Sequence, residues 1–154
     1  DLLQITDNSK DIVELKTRHR YTYEQFDDIS INLKKIQRIM ERKEDVGANN
    51  VYICAMYPKS DKIVLIDITF IDYSEDNVVN RNVKLTTLTD KPYKVMQKYI
   101  PLSIKRGKDH LLNTRTYVFT YNKLFETYVK IFKKYCKKYN VPDDMMAIGL
   151  QGLS

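Results

Sequence analysis

At 154 residues, with 43% hydrophobic and 30% charged side chains, the chain can bury a core without disulfide or metal staples, and this composition argues against a disordered tail. The aliphatic run Ile63-Val64-Leu65-Ile66 stops at Asp67, far short of the ~20 residues a bilayer-crossing helix needs, so no membrane partner is expected. A net charge of +6 and a pI near 9.2 favour a polyanionic partner.

The N-terminus, Asp1-Leu2-Leu3-Gln4, has no Met, no basic start and no apolar signal core, so the chain reads as a piece of something longer. Residues 1–20 read as an N-terminal extension and 21–154 as a single α+β domain, with no repeat and no low-complexity linker. Thr22 followed by Gln25 is a capping-box pattern, and Phe26, Ile29, Leu33, Ile36 and Met40 recur at spacings of three and four. That spacing predicts a long helix over 22–44, closed by Gly47. Val51 to Tyr57 fits a buried strand or a short helix, and Pro58 to Asp61 turns the chain. Ile63 to Tyr73 is rich in β-branched residues and predicts a strand, with Val64, Ile66, Ile68 and Phe70 on one side.

Ser74 to Asn77 then reads as a turn, Val78 to Thr86 as a second strand and Thr89 to Pro92 as another turn. Pro101 opposes helix in Tyr93 to Leu102, which is read as a third, edge-type strand. Arg106 to Asp109 is a turn or helix entry and Thr116 to Phe119 a short extended piece. From Tyr121 to Tyr139 the residues Leu124, Phe125, Tyr128, Ile131, Phe132, Tyr135 and Cys136 share one face of a second long helix. A short helix over 143–148, broken at Gly149, completes the chain. The expected fold is α+β, with long helices packed on a three-stranded antiparallel sheet.

The candidate contacts for a polyanion are cations. Arg18-His19-Arg20 is a dense basic element ahead of the first predicted helix, and Lys34, Arg38 and Arg42 repeat at i, i+4 on that helix. Lys105, Arg106 and Lys108 gather in one loop, while Lys130, Lys134 and Lys137 lie on the polar face of the second helix. All of these side chains are also what solvated faces and helix C-termini carry for ordinary reasons. Cys54 and Cys136 have no partner spacing, so reduced thiols and a cytoplasmic setting are expected, and with only His19 and His110 besides no zinc cluster assembles. Asp67 and Asp72 are an odd number of positions apart, so a regular strand points them to opposite faces and gives no paired-carboxylate site. A Gly-rich phosphate loop, a Gly-x-Ser-x-Gly elbow and a Cys-His pair are all missing. The sequence therefore predicts no enzyme, no cofactor and no metal.

A helix, three antiparallel strands ending in Tyr99-Ile100-Pro101-Leu102, an extended Thr116-Tyr117-Val118-Phe119 and a long basic helix resemble part of the catalytic domain of the tyrosine recombinases, the phage integrase family, over roughly residues 20–154. The resemblance implies that Lys84 or Lys91 stands where that family has a hairpin lysine. Tyr57-Pro58-Lys59-Ser60 stands where its first catalytic arginine belongs; no His-x-x-Arg follows, and no tyrosine after Tyr139 serves as nucleophile. Strand transfer needs positioned cations and an attacking tyrosine, so the resemblance implies a catalytically silent scaffold that grips DNA. The expectation is then a phage or viral DNA-binding protein or transcription regulator on duplex DNA, located in the cytoplasm, or in a host nucleus for a eukaryotic virus. The rival expectation is a viral accessory or structural protein that works through protein contacts and forms a homo-oligomer, for which twelve tyrosines without a tryptophan speak.

Overall fold

The computed structural model describes residues 2–5, 9–85 and 93–151, with side chains described over 9–83 and 94–147. The chain divides into two compact units, Asp1–Val118 and Phe119–Ser154.

The first unit opens with β1 (Leu2–Ile5) and β2 (Lys10–Thr17), which pair antiparallel. A single 3-10 turn, Tyr23–Gln25, leads into β3 (Asp28–Asn32) and α1 (Leu33–Val46). Then come β4 (Asn50–Tyr57), β5 (Lys62–Asp67), β6 (Val79–Leu85), β7 (Tyr93–Ser103), β8 (Gly107–Asp109) and β9 (Thr114–Thr120). The larger sheet has six strands in the order β1-β2-β4-β5-β9-β8, and the smaller has three in the order β3-β7-β6. β2 and β4 run parallel, joined by the crossover through β3 and α1. The other registered pairs are antiparallel.

The core follows from the period-two pattern of the strands. Val51, Ile53, Ala55 and Tyr57 of β4, and Val64 and Ile66 of β5, are buried on one face of the large sheet. Leu33, Ile36 and Ile39 of α1, Ile29 and Ile31 of β3, and Ile100 and Leu102 of β7 complete the same cluster. Glu14 of β2 is the buried charge among them, its carboxylate 3.1 Å from Lys16 and 3.3 Å from Lys35. Burial pushes its pKa up, but hydrogen bonds and charge from the two lysines outweigh that and hold it below the ordinary carboxylate value.

The expected architecture of long helices on a three-stranded antiparallel sheet is overturned. The protein is α+β, but the sheets dominate, and three strands of the large one (β1, β2 and β4) precede Pro58. The expected helix over 22–44 is three elements, not one. Thr22 and Gln25 do close a turn, the Thr22 amide donating to Gln25 Oε1 at 2.7 Å, but only around Tyr23–Gln25. Ile29 and Ile31 are then buried two residues apart, as a strand requires, and β7 takes up their ladder hydrogen bonds. The α-helix begins only where Asn32 caps it, Oδ1 accepting from the Lys34 amide at 2.9 Å. Gly47 ends it at φ +66°, as its position predicts.

β5 stops at Asp67, so Ile68 stays buried while Phe70, expected on the same side, points out and is 76% exposed. β7 is the central strand of its sheet, not an edge. Its pairing with β6 covers Tyr93 to Tyr99 and its pairing with β3 covers Tyr99 to Ser103, so Pro101 lies where only one flank is paired, as on an edge strand. Residues 107–109 form β8 rather than a helix entry. The expected turn over 89–92 lies outside the described residues.

The second unit holds α2 (Tyr121–Lys138) and α3 (Asp143–Gln151), the latter running through Gly149 where a break was expected. On α2, Cys136 is buried and Phe125, Val129 and Phe132 are partly covered.

Candidate nucleic-acid interface

The outer face of the small sheet, with the segment between β2 and β3, forms a cleft of about 550 Å3. Strand alternation explains what it presents. Tyr99 stands opposite both Asn32 and Val79, so Ser30, two residues from Asn32, and Arg81, two from Val79, share its face, away from the buried Ile31 and Ile100. Gln97 Oε1 accepts from the Tyr99 hydroxyl at 2.9 Å and from Asn32 Nδ2 at 3.1 Å, which fixes the tyrosine against the sheet.

Arg18 enters from the large sheet. Its amide donates to the Met56 carbonyl at 2.9 Å, extending the β2–β4 ladder by one residue and setting it beside Tyr57. Tyr21 and Phe26 meet edge to face, ring centroids 5.4 Å apart, and remain 40% and 52% exposed while lining the cleft. Tyr57 is buried, which pushes its hydroxyl pKa up; Arg18 opposes the shift, and Tyr23 and Asp28 add to it.

Tyr57 also carries the cleft toward a second pair of cations. Its ring packs edge to face on Tyr23 at 5.9 Å, and Lys105 Nζ lies 4.2 Å above the Tyr23 ring. The Tyr23 hydroxyl donates to the Ile104 carbonyl at 3.1 Å and its amide to Ser60 Oγ at 2.8 Å, while the Ile104 amide reaches the Asp27 carbonyl at 3.1 Å. These bonds pin the start of the 105–109 loop beside the 3-10 turn. Burial and Glu24 raise the Tyr23 pKa against the pull of Arg106, whose guanidinium donates to the Val118 carbonyl at 2.9 Å. Arg18 and, far from it in sequence, the adjacent Lys105 and Arg106 thus flank one edge-to-face pair of tyrosines.

The other expected contacts lie elsewhere. Lys34, Arg38 and Arg42 are exposed on α1, and Lys34 lines a different hollow with Glu75 and Lys98. Arg20 is exposed in the loop after β2, and Lys108 is on β8 opposite Arg115. Lys130, Lys134 and Lys137 are exposed on α2 of the second unit. The Lys84 side chain and the whole of Lys91 lie outside the described residues. Asp67 Oδ1 accepts from the Thr69 amide at 3.0 Å and its hydroxyl at 2.6 Å, and Asp72 Oδ1 from the Ser74 amide at 3.0 Å, so both carboxylates close turns. The Cys54 and Cys136 thiols are free, and burial pushes the Cys54 pKa up, which lowers its reactivity.

Charge pairing separates the cations further. Lys16 and Lys35 are held by Glu14, Lys43 pairs with Glu44 at 3.6 Å and Lys98 with Glu75 at 3.1 Å. Lys16, Lys43 and Lys98 are not among the expected phosphate contacts. Among the described residues, neither Arg18 nor Arg81 has an ion pair with a carboxylate. Sequence reasoning missed Arg81 and the aromatic lining. Arg81 is a lone cation between two asparagines, and only the β6–β7 register brings it near Tyr99. No family model, curated protein or solved structure matches the chain.

Proposed function

We propose that the first unit is a nucleic-acid-binding module, with Arg18, Arg81, Lys105 and Arg106 contacting phosphates. The observation that carries this is two guanidiniums with no carboxylate ion pair among the described residues lining one cleft, continued by edge-to-face tyrosines to a second cationic pair. Neither guanidinium is committed to a carboxylate among the described residues, and a phosphate oxygen is the acceptor its planar fork fits. The net charge of +6 adds long-range attraction of the right sign. The reading rests on these side chains and not on the resemblance to the tyrosine recombinases. It requires binding, not chemistry, as a regulator would.

Fluorescence anisotropy of a labelled oligonucleotide across a salt series tests it. Four phosphate contacts give a log–log slope near −3, from about −0.7 to −0.9 per phosphate neutralised. Affinity that does not respond to salt, or no binding at low salt, contradicts the reading.

One observation favours a second reading, assembly through protein contacts. Leu124, Tyr128, Ile131 and Tyr135 recur at spacings of four and three on α2, and all are exposed. Light scattering over a hundredfold range of concentration, with no nucleic acid present, separates the two: a mass that stays monomeric removes self-assembly.

A further inference from the structure

We infer that the cleft takes an unpaired nucleotide, so that the preferred ligand is a single strand and not duplex DNA. This rests on the nucleic-acid reading above and specifies the ligand of the same site.

Size is the first argument. A cleft of about 550 Å3 lies inside the range of about 300–1,000 Å3 that small ligands occupy, which suits one nucleotide. The second is the chemistry of the lining. In a duplex the flat faces of the bases are covered by their neighbours, and only edges and phosphates are offered to a protein. Tyr21 and Phe26 put ring surface beside two cations, and a ring face, unlike a hydroxyl, offers a phosphate nothing. They suit the exposed face of an unpaired base, which stacks on aromatic side chains whatever its identity. Edge to face, the pair cannot stack on each other and leaves ring surface free.

The third argument is polar. The Ser30 hydroxyl is buried at this cleft without a hydrogen-bond partner among the described residues, a cost that a ligand group would remove. Asp28, on the same face of β3 two residues away, also lines the cleft. A carboxylate repels phosphate and suits the donors of a base edge or a sugar hydroxyl. Phosphate is left to Arg18 and Arg81. Acceptors, aromatic rings and cations in one cleft are the three kinds of partner that one nucleotide uses.

The test uses the full chain and one labelled 12-residue oligonucleotide, free and annealed to its complement, at one fixed salt concentration. The single strand should bind at least about tenfold more tightly. A Tyr21→Ala and Phe26→Ala double variant should lose about tenfold or more of that affinity while the salt slope stays the same, because stacking releases no counterions. Tyr21→Phe should bind as the parent does. Both rings are exposed, so circular dichroism of the double variant should match the parent. Equal or tighter binding of the duplex, or an alanine variant that binds unchanged, overturns the inference and leaves the broader reading standing. A mononucleotide that competes as strongly as the strand overturns the strand as ligand. Failure of every nucleic acid to bind removes both readings together.

Discussion

Glu14 and Arg18 lie on the same stretch of chain, one inside β2 and one just past its end, yet their charges meet opposite fates. Glu14 is buried and closed off by Lys16 and Lys35, so its charge is fully compensated within the fold. Arg18 sits at the rim of a cleft beside tyrosines, with Arg81 on the same cavity and no carboxylate paired to either among the described residues. A count of lysines and arginines therefore says little about where a polyanion can land. What matters is which cations the fold has already neutralised.

The sharpest way to break this contrast is to remove Glu14. Glu14→Ala leaves two ammonium groups beside the core without their anion. Breaking a fully buried pair costs about 3–5 kcal/mol, and because the two lysine side chains stay about a third exposed the expected loss is lower, about 2 kcal/mol, read as a fall in the urea midpoint. Nucleic-acid affinity of the folded fraction should not fall, since that end of β2 holds no phosphate contact.

The converse variant, Arg18→Ala with Arg81→Ala, should leave stability within about 0.5 kcal/mol of the parent. It should reduce the salt slope for a single strand by about 1.4, two contacts at about 0.7 each. An unchanged slope would place the phosphates elsewhere.

Acid gives a smaller and graded version of the first experiment. The folded-state pKa of Glu14 is depressed, so its contribution to stability is complete above the unfolded-state carboxyl value of about 4.3 and is lost as pH falls through the lower folded value. Urea midpoints between pH 7 and pH 3 should therefore fall more steeply for the parent than for Glu14→Gln. The smallest effect belongs to a position outside both regions. Gly47 has φ +66° and open space where a Cβ would stand, so Gly47→Ala should cost about 1 kcal/mol through backbone strain alone, with binding unchanged.

Local signals were legible in the sequence where one residue or one period decides the outcome. Gly47 stops a helix, the run from Ile63 makes a strand, and the face from Tyr121 onward makes a helix that ends at Lys138. What was not legible is set by partners distant in the chain. Ile29 fits a helical stripe with Leu33 and Ile36 and also fits a strand with Ile31, and pairing with β7 decides for the strand. Pro101 suggests an edge strand, but the staggered overlap of β3 and β6 on β7 lets it sit in a central one. The candidate site divides in the same way. Arg18, Lys105 and Arg106 could be picked out as basic residues, whereas their meeting across Tyr57 and Tyr23, and the presence of Arg81, depend on registers that no local pattern encodes.

The most direct test of the central claim, that the Arg18–Arg81 cleft is where a nucleic-acid strand sits, is ultraviolet cross-linking of a single strand to the intact chain, with the attached peptides identified by mass spectrometry. The account predicts adducts on the segment holding Tyr21 and Phe26 and on β7 at Tyr99. Adducts confined to α2, with none in residues 18–30 or 94–103, would contradict it.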